Sequence, residues 1–377
     1  MKFKPLQGFT ILDFSKLLPG PFCSLILSDL GARVIRVENI HSPDTLRKVA
    51  PVEGRTSLLF ESFHRGKERI GIDLKSSEGQ KIFLKLVSKA DVLLESFRPQ
   101  VLDKMGFGFS KLKRLNKKLI LASITGYGQK GPLAMRAGHD MNFMAEAGLA
   151  CGTKVPLVQW ADLASGSLMA AIAILGALLA RQKSKKGQHL DISMADGSIF
   201  LNMASLILSQ TGIYQTLITG LLARYQFYFT KDEHILCVGA LESKFWNEFC
   251  DLIGKPQWKD GSQMYQDIDP AIHQELARII QEKTRDEWMK LLEGHDVCIS
   301  PALGSSEVLK SEQYKKRGFF QRQKWQGKEI SIPVTPLGTP SSKKVAAPKK
   351  VSTLLKELGY APAHIKNFFD EGVVADL

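Results

Sequence analysis

Residues 11–38, ILDFSKLLPGPFCSLILSDLGARVIRVE, decide how this chain folds. Ile11 to Phe14 is a short apolar run of strand type. In LLPGPF, Pro21 suits the first turn of a helix running to Leu30, because that turn makes no use of the amide proton that proline lacks. Gly31 stops the helix, and RVIRVE alternates into a second strand. Strand, helix, strand is the unit that joins two parallel strands. Glu38 ends the second strand where a dinucleotide fold places its ribose-binding acid. That fold also needs G-x-G-x-x-G after the first strand, and SKLLPGP supplies a single glycine, which argues against a nicotinamide cofactor.

The alternation continues outward. Ile70 to Leu74 reads as a strand, and KSSEG opens a helix through Lys89 with serine and glutamate in capping positions. Asp91 to Glu95 is a strand ending in SFRP, Ser110 to Leu115 a helix, Leu119 to Ile124 a strand, HLDISM another, and Asp196 to about Ser209 a helix. The expectation for residues 1–211 is therefore a large α/β domain with a doubly wound parallel sheet. From about Gly212 the pattern changes. RYQFYF and HILCVGA, joined by TKDE, form an antiparallel pair, followed by helices at Ser243 to Leu252, Ala271 to Lys283 and Thr284 to Glu293 and the short strand DVCIS. This predicts a smaller α+β domain over 225–325. Residues 326–377 carry the lysine- and proline-rich run TPSSKKVAAPKK and an amphipathic helix, VSTLLKELGY, as a linker and a segment returning to the large domain.

Over 377 residues, 44% are hydrophobic and 24% charged, a soluble globular composition. Lys and Arg number 51 against 38 Asp and Glu, a net charge of +13 that favours an anionic partner. No aromatic-and-basic reading motif points to nucleic acid. The five cysteines are scattered, with no C-x-x-C pair, and read as thiols in a reducing, cytoplasmic compartment, with no metal site expected. The N-terminus lacks the pattern of a secretory signal. Leu163 to Ala180 is apolar, but it falls short of the about 20 residues of a membrane span and contains Ser165, Gly166 and Ser167, so a buried core helix is expected and no membrane partner.

Three loops carry the candidate chemistry: SITGYGQKGP (123–132), AGHDMNF (137–143) and QWADLASGS (159–167). The glycines give a bent backbone that a bulky ligand can approach. His139 and Asp162, each at a helix mouth, are residue types that move protons. Each also has a plain reading, His139 as a solvent contact or cap and Asp162 as the N-cap of the apolar helix. Glu242, beyond HILCVGA, is either a first-turn acid or part of a site. Asp140 and Asp196 can serve as caps. Lys67, Lys75, Arg98 and Lys104 lie around strand ends, where parallel sheets bind ligands.

Together the blocks LPGPF, LSDLGARVIRVE, DLKSSEG, ADVLLESFRP, ITGYGQKGP, AGHDMNF, WADLASGS, KGQHLDISMADG and VGALESKFW resemble, in order and spacing, the class III CoA-transferase family (CaiB/BaiF-like). The GHD-x-N and VGA-x-E blocks are similar to its α-methylacyl-CoA racemase branch. The resemblance implies a Rossmann-like large domain with a small domain, in two interlinked chains that form a homodimer. It implies a cofactor-independent racemase of 2-methyl-branched acyl-CoA thioesters, with no prosthetic group and CoA present only as part of the substrate. His139 and Asp162 would be the two α-proton bases, and Glu242 would hold the imidazole. Leu74, Lys75, Arg98, Lys104 and Asp140 fall where relatives contact CoA. The alternative within the family is a CoA-transferase with Asp162 as nucleophile. Asn39 after Glu38, and TGLLARY in place of a glycine-rich block, depart from the racemase pattern and leave the acyl group open.

Overall fold

The computed structural model describes residues 4–149, 155–211, 222–259, 270–337 and 349–377. Cys151, residues 219–221 of the TGLLARY block and residues 339–348 of the lysine- and proline-rich run lie outside the described residues. The chain divides into two compact units, residues 1–203 with 316–377, and 204–315.

In the first unit, β1 (Thr10–Phe14) leads through α1 (Pro19–Asp29) to β2 (Arg33–Asn39), and β3 (Glu68–Ile72) through α2 (Ser77–Lys89) to β4 (Val92–Glu95). Next come β5 (Ile120–Thr125), α3 (Asp140–Glu146), a π-helical turn (Ala161–Leu168) continuous with α4 (Met169–Ser184), β6 (His189–Ser193) and α5 (Met194–Leu201). The second unit holds an antiparallel sheet of β7 (Tyr225–Phe229), β8 (Ile235–Gly239) and β9 (Ile299–Pro301), with α6 (Ser243–Leu252), α7 (Pro270–Gln281) and α8 (Arg285–Leu291). The chain returns as the hairpin β10 (Phe320–Trp325) and β11 (Lys328–Pro333), then α9 (Val351–Glu357), α10 (Pro362–Asp370) and β12 (Val374–Ala375).

The central sheet has the order β12-β3-β2-β1-β4-β5-β6, parallel throughout except for β12, which runs antiparallel on the β3 edge. The opening stretch builds its middle. Pro19 takes the first helical position of α1, and Gly31, at φ 101°, turns the chain back into β2. Helices cover both faces. Phe83 and Leu86 of α2, Leu354 of α9 and Ile365 of α10 pack on one side. Ile26 and Leu27 of α1 and Ile174 and Leu178 of α4 pack on the other. The mixed α/β fold with a mostly parallel sheet is as expected.

Details differ. The helix expected from Asp196 to about Ser209 breaks at Asn202, whose carboxamide turns away to donate to the carbonyls of Ala147 and Gly148. The apolar helix is long and apolar enough by length and composition to cross a membrane, and it is buried on one face only. Ala170, Ile174 and Ala177 enter the core, while Ile172 and Leu179 are 63% and 67% exposed. The β10–β11 hairpin escapes sequence reading because its strands are half polar, although Gln326 and Gly327, both at positive φ, make the tight turn such hairpins favour.

Lys67 is not a surface cation at a strand end. Its ammonium is buried under the sheet, 3.2 Å from Asp13 Oδ2 and 2.7 Å from Ser24 Oγ, and burial pulls its pKa down to about 8. Arg36 lies on the other side of Asp13, also pairs with Asp44 at 2.9 Å, and donates to the Ser15 carbonyl. Burial alone would raise the Asp13 carboxyl, but Lys67 and Arg36, with the hydroxyls of Ser15 and Ser24, hold it well below the usual range. Glu38 is likewise engaged, accepting from Arg47 at 2.7 Å and from the Asp44 amide. Removing one member of such a cluster leaves its partners charged and dry. Asp13→Ala is therefore expected to cost about 3–5 kcal/mol of stability in urea unfolding.

Candidate active site

The order of the sheet reverses between β1 and β4, and the C-terminal ends of these strands open a crevice where α/β proteins bind ligands. A cavity of about 420 Å³ lies there. Lys16, Leu17 and Pro19 after β1, Ser96 to Pro99 after β4, Gly126 after β5, and His139, Asn142 and Phe143 around the start of α3 line it, with Asp162 and Met194.

Each wall is held locally. Leu17 has a left-handed backbone (φ 64°) that a leucine rarely adopts, and its amide donates to both Asp44 oxygens, at 3.2 and 3.1 Å. The Lys16 amide donates to Ser96 Oγ at 2.9 Å, joining the loops after β1 and β4. The Gln129 amide donates to the Asp191 carboxylate, which fixes the glycine loop. Gly126 and Gly138 are small for a reason the sequence did not reveal: a Cβ on either would lie within 2.6 Å of the Phe143 ring, so they admit that ring rather than a ligand.

His139 is the N-cap residue of α3, exposed at the cavity wall, and the Asn142 side chain reaches back to its amide at 3.0 Å. Asp162 is not the cap of its helix. It lies inside the first π-helical turn, and the capping acceptor comes from Asp140 on α3, whose Oδ1 takes the Asp162 amide at 2.9 Å. That amide is thereby occupied. Burial and the neighbouring Asp140 charge push the Asp162 carboxyl up to about 7, and burial raises Asp140 as well. The site thus pairs an exposed imidazole with a half-buried carboxyl that changes charge near neutral pH.

Of the residues expected to contact CoA, Arg98 lines the cavity. Lys75 and Lys104 are exposed outside its lining, Leu74 belongs to the core under α2, and Asp140 faces the helix start. Glu242 stands in the second unit, exposed, at the N-cap of α6. Sequence reading missed Lys16, Leu17 and Arg136 as lining residues. The available signal was position, since the first two follow the first strand and Arg136 lies between the glycine loop and His139.

An α/β protein with a histidine and a carboxyl lining a cavity at its switch point is the class these features define. The chain belongs to CoA-transferase family III, whose family model matches residues 6–350. It is 33% identical over 327 residues to alpha-methylacyl-CoA racemase of Homo sapiens, covering 84% of this chain and 82% of that protein. It is also 33% identical over 334 residues to acetyl-CoA:oxalate CoA-transferase of Acetobacter aceti, covering 84% and 85%. The fold is similar to a CAIB/BAIF family protein from Brucella suis, with TM-score 0.80 and 27% identity over 95% of this chain and 100% of that one.

Asp140→Asn keeps an acceptor for the Asp162 amide and removes a charge. Carboxyl-detected NMR should show the Asp162 titration move down from about 7. The folded protein prefers Asp162 protonated, so its ionisation costs stability as pH rises from the ordinary value of 3.8 to about 7. Asp162→Asn abolishes that loss, and its melting temperature relative to wild type should be higher at pH 8 than at pH 4.

Proposed function

We propose that the protein is a cofactor-independent racemase of 2-methyl-branched acyl-CoA thioesters. The observation that carries this reading is that His139 and Asp162 line one cavity and Asp162 titrates near neutrality, where a group both accepts and returns protons well. The thioester acidifies the α-hydrogen. One base removes it and the other delivers a proton to the opposite face, while Arg98 takes a CoA phosphate by charge-assisted hydrogen bonds. We further assign Glu242 to holding the His139 imidazole, and Leu74, Lys75, Lys104 and Asp140 to the surroundings of CoA, as the family resemblance implies.

A second reading is CoA transfer, favoured by the equal identity to a CoA-transferase. Here the Asp162 carboxylate attacks the thioester carbonyl, the C–S bond breaks, CoA leaves as its thiolate, and a mixed anhydride remains. The two readings part at His139. His139→Ala should stop epimerisation of a 2-methylacyl-CoA followed by NMR in deuterated water, and Asp162→Asn should stop it with the fold intact. Full CoA transfer between acids by the His139 variant would replace the first reading with the second.

We place the protein in the cytoplasm as a homodimer. Leu168, Ile172 and Leu179 on α4 and its π turn, with Ile199, Phe200 and Leu201 on α5, offer an apolar surface for a second copy to cover. Ile172→Glu should yield monomers in sedimentation equilibrium, and a wild-type monomer that is fully active would overturn the dimer.

A further inference from the structure

The helix bearing Asp162 begins with a π turn, in which the Met169 amide donates to the carbonyl of Ala164, five residues back. Such a turn holds one residue more than an α-turn, so every residue before it is rotated by roughly 100° from where a continuous α-helix would put it. Asp162 stands at the start of this turn, and its direction depends on the turn staying wound. Ser167 lies at the other end and is fully buried. Its hydroxyl reaches the Asp162 carbonyl at 2.9 Å and the Pro19 carbonyl, in the first turn of α1, at 2.6 Å. The contact with the fifth carbonyl back is the π-helical counterpart of the back-bond that any interior helical serine can make. What sets this serine apart is the second acceptor, the Pro19 carbonyl on a different helix. Gly166 next to it is closely packed, since a Cβ there would lie 3.0 Å from Met194, itself a lining residue, and would press on it.

We propose that Ser167 is a positioning residue of this site: its hydroxyl ties the π turn to the first turn of α1 and so keeps the Asp162 carboxyl turned into the cavity. The inference rests on the racemase reading for its readout. The experiment supplies each epimer of a 2-methylacyl-CoA separately to the full-length protein in deuterated water and follows loss of the α-hydrogen by NMR. Asp162→Asn first identifies the epimer whose hydrogen faces Asp162. Ser167→Ala is then expected to slow exchange from that epimer by about 10²-fold, the cost of a displacement near 1 Å, with little change for the epimer served by His139.

Equal slowing of both epimers, or of neither, overturns the proposal, because general loss of structure has no preferred face. Ser167→Cys keeps the volume with a weaker donor. It should show the same bias to a smaller degree, and it carries the test if the alanine variant does not fold. If the wild-type protein exchanges neither epimer, the racemase reading itself fails. The positioning role is then read from hydroxylamine capture of an Asp162 adduct formed from acyl-CoA. A large drop in Ser167→Ala supports it, and an undiminished yield overturns it.

Discussion

The Arg36 guanidinium at the end of β1 is the contact on which the loop after that strand depends. It pairs with Asp13 and Asp44 and takes the Ser15 carbonyl, while Lys67 balances the other side of Asp13. Asp44, so anchored, receives the amide of Leu17 and keeps that residue in a backbone conformation leucine avoids. The strained residue and its neighbours, Lys16 and Pro19, form one wall of the cavity. Charges taken out of water at considerable cost thus act here less as glue than as a jig for the loop after β1.

A second chain of contacts runs through the opposite wall. Asp140 opens one short helix and caps another, since its carboxylate takes the amide that starts the Asp162 helix. The same carboxylate raises the pKa of Asp162. Burial is the larger cause of that shift, but Asp140 contributes both to the placement and to the acidity of the candidate base, and the two contributions cannot be altered independently at residue 140 without choosing a neutral acceptor of the same shape.

The strands of the sheet were legible because buried parallel strands are short apolar runs between turn signals, and the stretch from Ile11 to Glu38 contains two of them with their helix. His139 and Asp162 were legible as residue types beside glycine loops. The environment that raises the Asp162 pKa to about 7 was not, because it depends on burial and on Asp140, which lies 22 positions away in sequence and close in space. The burial of Lys67 was hidden for a similar reason: a lysine between two polar stretches carries no local sign that Asp13, 54 residues earlier, will neutralise it. Helix boundaries shifted where a side chain found a better partner outside the helix, as Asn202 did. The π turn left no mark in composition at all, since WADLASGS reads equally well as an α-helix start.

The second unit, 204–315, interrupts the first, whose sheet is finished only by β12 at Val374 and Ala375. A ribosome releases β1 to β6 early, yet the outer side of β3 then waits, with bare amides and carbonyls, until an entire intervening unit has been synthesised. Through that interval the nascent chain presents a hydrogen-bonding edge that any neighbouring strand can occupy. Val374 and Ala375 therefore act as a stopper, and the order of translation makes their arrival later than that of every other strand in the sheet.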